Sequence, residues 1–125
     1  FKRWIADVSD TRTKAEYYPQ TDKPDLLRLG YIARRSSHTR GSTVDLTIVP
    51  CARPAAALDM GSDFDFFGPE SWAEYTGVTP QQQANRLLLR RLMMQSGFIP
   101  FSMEWWHFTL ENEPFPDTWF DFPVQ

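Results

Sequence analysis

The chain has 125 residues, 42% of them hydrophobic and 15% aromatic, enough apolar content to bury one sizeable core and too much for a disordered tail. Its formal charge of -3, with basic and acidic residues interspersed, lacks the clustered positive charge of a nucleic-acid binder and favours a small or neutral substrate. A lone cysteine, Cys51, leaves no partner for an internal disulfide and no basis for a thiolate zinc cluster; it reads as a small, half-buried apolar residue. No apolar run is long enough to span a bilayer, and no signal-peptide pattern opens the chain.

In chain order, Phe1 to Ala6 reads as the tail of an amphipathic helix with no start signal ahead of it, so the expectation is that a segment upstream of Phe1 is missing. Pro24 followed by Asp25 to Leu29 and closed by Gly30 predicts a short helix with proline in its first turn. Thr43 to Val49 alternates as a strand, with Val44, Leu46 and Ile48 facing the core and Thr43, Asp45 and Thr47 on the polar face. Asp45 then points toward a cleft, and Gly41 offers a turn that folds His38 back over the strand. Its plain structural reading is an ordinary exposed aspartate on a half-buried strand.

Pro50 to Gly61 reads as a connection and return strand, and Ser62 to Pro69 as an aromatic, acidic loop of the kind that lines sites. Thr79, Pro80 and Gln82 spell a capping box that starts a helix ending before Gly97. Ala84, Leu87, Leu88, Leu92 and Met93 form its predicted core stripe, with Arg86 and Arg90 off it. Met103 to Leu110 reads as a further strand. In a regular strand Glu104 and His107 face opposite sides, so a shared site requires a bend or bulge near Trp105 and Trp106, or an edge approach by the glutamate.

The only two histidines, His38 and His107, sit in compact motifs: Ser36-Ser37-His38-Thr39-Arg40-Gly41-Ser42-Thr43-Val44-Asp45 and Glu104-Trp105-Trp106-His107. Two imidazoles, one carboxylate and a spare carboxylate are the inventory of a catalytic zinc site, in which three protein ligands leave a position for water. Glu104 suits the part of a carboxylate that takes a proton from an oriented water.

These two motifs resemble those of the zinc D-alanyl-D-alanine dipeptidases of the VanX type, within the wider group of D,D-carboxypeptidases and hedgehog-like folds. Supporting flanks are Lys14-Ala15-Glu16-Tyr17-Tyr18-Pro19, Gly30-Tyr31, Asp59-Met60-Gly61-Ser62-Asp63-Phe64-Asp65-Phe66, Asn85-Arg86, Ser96-Gly97-Phe98 and Phe120-Asp121-Phe122-Pro123, so the resemblance covers nearly the whole chain. It implies one zinc ion per chain held by His38, Asp45 and His107. Glu104 would be general base and later the acid for the leaving amine; Ser36 and Asp65, with Tyr31, would meet the ammonium of a dipeptide. For Asp65 the simpler alternative is a loop-capping carboxylate. The implied fold is α+β, a central antiparallel sheet flanked by helices, forming a single zinc peptidase domain over 1–125 that lacks its N-terminal part.

In that family an arginine of an upstream Tyr-Arg-Pro segment stabilises the oxyanion, and no Tyr-Arg-Pro occurs here. The expectation is that a complementary N-terminal segment supplies it; Arg34, Arg35 and Arg40 are the internal alternatives, and their simpler reading is solvated or supporting residues around His38. The implied activity is hydrolysis of D-Ala-D-Ala, in cell-wall dipeptide turnover or glycopeptide resistance. A D,D-carboxypeptidase acting on peptidoglycan stems and a non-catalytic zinc-stabilised binding module are the rival readings. The expected location is cytoplasmic, or periplasmic if a removed leader directed export; oligomeric state is left open.

Overall fold

The computed structural model describes residues 2–52 and 56–122, so Phe1, residues 53–55 of the expected return strand and Pro123 fall outside the description. Three short helices, α1 (Lys2–Ala6), α2 (Lys14–Tyr17) and α3 (Lys23–Arg28), precede a 3-10 turn at Ser37–Arg40 and strand β1 (Thr43–Asp45). A second 3-10 turn (Pro69–Ser71), the long helix α4 (Pro80–Gln95), and strands β2 (Phe98–Pro100) and β3 (His107–Leu110) complete the α+β architecture. The sheet is antiparallel in the order β1-β3-β2. No helix among the described residues is long and apolar enough to cross a membrane.

Two hydrophobic clusters organise the molecule. The first gathers Met60, Leu89, Trp105, Trp106 and Phe108 between α4 and the sheet. The second gathers Tyr18, Leu26, Ile32 and Phe67, with Trp4 and Ile5 of α1 packed against it. Helices as short as α1 to α3 are marginal alone and persist through such packing. Lys23 reinforces it from within: its buried ammonium donates to the carbonyls of Asp7 at 2.7 Å and Asp10 at 2.6 Å and sits 4.3 Å over the Trp4 ring. Pro24 occupies the first turn of α3, and Gly30, at φ 84°, turns the chain out of it as the sequence predicts.

α4 starts at the expected capping box: the Gln82 amide donates to Thr79 Oγ1 at 3.2 Å, while the Gln82 side chain accepts from the Thr79 amide at 2.8 Å. Its buried face, however, is not the predicted leucine stripe. Leu87, Leu88 and Leu92 are 47–51% exposed, and Ala84 is exposed too, whereas Asn85, Arg86 and Leu89 are buried. The reason lies in the loop beneath the helix, whose buried backbone carbonyls need donors. Asn85 donates to the Asp59 carbonyl at 2.8 Å, and Arg86 donates to Met60 at 2.5 Å, Glu70 at 2.7 Å and Trp72 at 3.0 Å. Met93 alone of the predicted stripe packs against the core.

Further corrections concern the strands. β1 ends at Asp45, although Leu46 still donates its amide to the Trp106 carbonyl at 3.1 Å, and Leu46 and Ile48 do pack on the core. Val44 is 41% exposed because β1 is an edge strand, whereas its cross-strand partner Phe108 on central β3 is 1% exposed. No return strand forms among the described residues of 50–61; a single backbone bond, Leu58 to Ile48, stands in its place. Cys51 is exposed rather than half-buried. β3 begins at His107, four residues later than the predicted Met103, and β2 was not foreseen at all.

Candidate functional site

β1 and β3 pair so that Asp45 stands directly across from His107 and Thr43 across from Thr109. Residues opposite one another in an antiparallel pair project from the same face, so this register puts the Asp45 and His107 side chains together. His107 Nδ1 lies 3.1 Å from Asp45 Oδ1. His38 arrives from the 3-10 turn, which Ser36 caps by accepting from the His38 amide at 3.3 Å and which Gly41 closes at φ 77°. That turn brings His38 Nε2 to 3.3 Å from Asp45 Oδ2 and its ring to 4.9 Å from that of His107.

The difficulty over Glu104 resolves by a bend. Residues Glu104 to Trp106 form a turn in which the His107 amide donates to the Glu104 carbonyl at 3.3 Å, and only then does β3 begin. Trp105 and Trp106 point into the core at 5% and 0% exposure, which swings Glu104 onto the side of His107. Glu104 Oε2 is 3.2 Å from His107 Nδ1, and the residue itself is buried. The turn is fastened to the aromatic loop and the 3-10 turn after it: the Trp105 amide donates to the Ser71 carbonyl at 3.0 Å, Trp105 Nε1 donates to Ser62 Oγ at 3.0 Å, and Phe64 packs at a tilt against both tryptophans.

One donor atom from each of His38, Asp45 and His107 lies within 4.8 Å of the other two, a grouping that can hold a metal ion. Ligand atoms about 2.1 Å from one tetrahedral ion stand about 3.4 Å apart, close to the His-to-Asp separations of 3.1 and 3.3 Å here, and an N,N,O donor set suits a borderline-soft divalent metal. The outer nitrogens are held as metal-binding imidazoles require. His38 Nδ1 meets the Thr43 carbonyl at 3.1 Å, leaving Nε2 to face Asp45; His107 Nε2 meets Ser37 Oγ at 3.4 Å, leaving Nδ1 to face Asp45. Burial by itself would lower the His107 pKa, but its hydrogen bonds to Asp45 and Glu104 outweigh that and raise it to about 9. Two carboxylates converging on one imidazole therefore favour a cation at this point.

These residues open onto a cavity of about 860 Å³ whose far wall belongs to the second cluster. Ser36, Tyr31 and Asp65 all line it, so the structure gathers every residue the sequence singled out. Tyr31 follows Gly30 and leans on Phe67 at 5.8 Å between ring centres. Asp65 takes φ 58°, and burial, then the nearby charge of Asp45, push its pKa up. Arg40, one internal candidate for oxyanion stabilisation, is engaged elsewhere: Nε and Nη2 bind the two carboxylate oxygens of Glu113 at 2.7 and 2.6 Å. Sequence reasoning missed Ser37 and Thr43 as supports of the two imidazoles. The adjacency of Ser37 to His38 was visible, but its partner is 70 residues away.

The chain is 41% identical to a D-alanyl-D-alanine dipeptidase of Enterococcus faecium over 125 residues, covering 100% of this chain and 61% of that protein. Proteins of the same name from Enterococcus faecalis and Streptomyces coelicolor are each 43% identical over 124 residues, 99% of this chain and 61% of theirs. The chain thus spans about three-fifths of the length of these relatives. The model of the M15 peptidase family, described as D-ala-D-ala dipeptidase, matches residues 1–125. With that match running from end to end over a converged His, Asp, His and Glu cluster, the chain belongs to the M15 D-Ala-D-Ala dipeptidase family.

Proposed function

We propose that the protein hydrolyses the dipeptide D-Ala-D-Ala with one zinc ion held by His38, Asp45 and His107. The observation that carries this reading is the meeting of those three donors with Glu104, 3.2 Å from His107, at the floor of a cavity large enough for a dipeptide. When bound, zinc would supply the polarisation that makes water acidic and a carbonyl electrophilic at neutral pH. Glu104 is the one carboxylate of the cluster outside the ligand set, and it is the proton acceptor for the attacking water. After attack it returns that proton to the departing amine as the C–N bond breaks, and the remaining proton of the added water passes from the new carboxyl group to that amine, so both amino acids leave as zwitterions.

Recognition of the free amino end falls to Asp65, with Ser36 and Tyr31 beside it. An ammonium brought next to Asp65 relieves the cost of burying that carboxylate, the same cost that pushes its pKa up. This favours a dipeptide with a free N-terminus over the blocked stem peptides that a D,D-carboxypeptidase would cut. Turnover of cell-wall dipeptides and glycopeptide resistance both follow from such an activity. The test is a D-alanine release assay on the zinc-loaded full-length protein with D-Ala-D-Ala and its N-acetyl derivative. Release from the free dipeptide alone is expected; equal release from both would favour the carboxypeptidase, and release from neither would favour a binding module.

A further inference from the structure

Seven charged or ionisable side chains other than tyrosine line the cavity: Arg35, His38, Arg40, Asp45, Asp65, Glu104 and His107. Five of them are engaged. Asp45 and Glu104 pair with the two imidazoles, and Arg40 is bound through both carboxylate oxygens of Glu113. Arg35 and Asp65 remain, of opposite sign and with no ion pair to any described residue. A dipeptide is a zwitterion, and a cavity with one free anion and one free cation matches it at both ends.

We infer that Arg35, held over the Trp119 ring, is the residue that receives the C-terminal carboxylate of the substrate. The inference rests on the dipeptidase reading and adds to it the element that selects for a free acid end. The Arg35 guanidinium carbon lies 4.8 Å from the centre of the Trp119 ring. A cation held over a ring face is not consumed by an ion pair, and no hydrogen bond from its N–H groups is found among the described residues, so those groups can bind a carboxylate in a two-point fork. The indole also limits the rotamers of a long side chain that would otherwise lose more entropy on binding. Position agrees with this role. Arg35 is three residues before His38 and lines the same cavity, and in a dipeptide the carboxylate carbon is only about 3–3.7 Å from the scissile carbonyl carbon. Asp65, which lines the same cavity, serves the opposite end. Trp119 is fixed to the same turn, because the neighbouring Phe120 amide donates to the Thr39 carbonyl at 2.8 Å.

The experiment measures affinity without turnover. Zinc-loaded full-length protein carrying Glu104→Gln is titrated calorimetrically with D-Ala-D-Ala and with D-Ala-D-alaninamide, which lacks the carboxylate. The free acid is expected to bind roughly tenfold or more tightly than the amide, as a charge-assisted fork implies. Adding Arg35→Ala should abolish that preference by weakening the acid alone, Arg35→Lys should keep part of it, and Trp119→Leu should reduce it. A preference that survives Arg35→Ala overturns the inference, and so does an equal loss for both ligands, which would place Arg35 at the carbonyl or in the fold. If the preference depends on Arg35 but protein with Glu104 intact releases no D-alanine, the activity reading fails and the carboxylate site stands. Absence of affinity for either ligand sinks both.

Discussion

The two walls of the cavity are built differently. His107 and Asp45 stand on paired strands over the tryptophan core, and Glu104 is held by a turn whose neighbours Trp105 and Trp106 are buried. The opposite wall hangs on short helices and loops: Tyr31 follows the end of α3, Asp65 sits on a turn at φ 58°, and Arg35 leans on Trp119 near the end of the described chain. Metal ligands must meet within tenths of an ångström, which a hydrogen-bonded strand pair over a packed core can enforce. Recognition of a small flexible zwitterion tolerates more, and loops suffice. The chemistry wall should therefore be perturbed independently of the recognition wall.

The strongest challenge to that separation is Glu104→Gln. It should lower kcat by about 10²–10⁴ while zinc content, measured by atomic absorption, stays at one per chain. Loss of zinc would instead make the residue a ligand. Next, His107→Ala should reduce zinc retention against a chelator far more than Ser37→Ala, for which a loss of about tenfold or more in zinc affinity is expected from misorienting His107. An unchanged affinity in Ser37→Ala would leave the 3.4 Å contact without a role. On the other wall, Asp65→Asn should raise KM for D-Ala-D-Ala roughly tenfold with zinc affinity untouched. A fall in zinc affinity there would show that the walls are coupled.

The smallest effect concerns the tie between the His38 turn and the C-terminal loop. The side-chain hydrogen bonds from Arg40 hold the Glu113 pKa below the usual carboxylate range. A depressed folded-state pKa gives stability that is full above the ordinary carboxylate value and is lost as pH falls through the depressed one. The melting temperature of the wild type should accordingly drop somewhat more steeply on acidification than that of Glu113→Gln. Parallel curves would mean that the pair contributes nothing to the fold.

Several of these features could be read from the chain because they are local. The capping box at Thr79 and the glycine exit after α3 each depend on a few adjacent residues and formed as expected. Ser36-x-His38 with Gly41 encodes its own turn, since a side-chain cap and a left-handed glycine suffice to fold His38 back. The α4 stripe misled for the opposite reason. Leu87, Leu88 and Leu92 have the period of a buried face, but the carbonyls of residues 60, 70 and 72 required donors, and Arg86 turned inward to meet them.

The sequence by itself determined the inventory: which imidazoles and carboxylates exist, the turn that presents His38, and the parity that puts Asp45 on the polar side of its strand. Only the tertiary structure decided that they meet. The register that sets Asp45 opposite His107 joins segments some sixty residues apart. The bend that returns Glu104 to that face depends on burying two tryptophans against α4 and Phe64, and the placement of Arg35 depends on a distant indole. Such contacts carry no local signature, because their stability comes from surfaces that become neighbours only when the core closes.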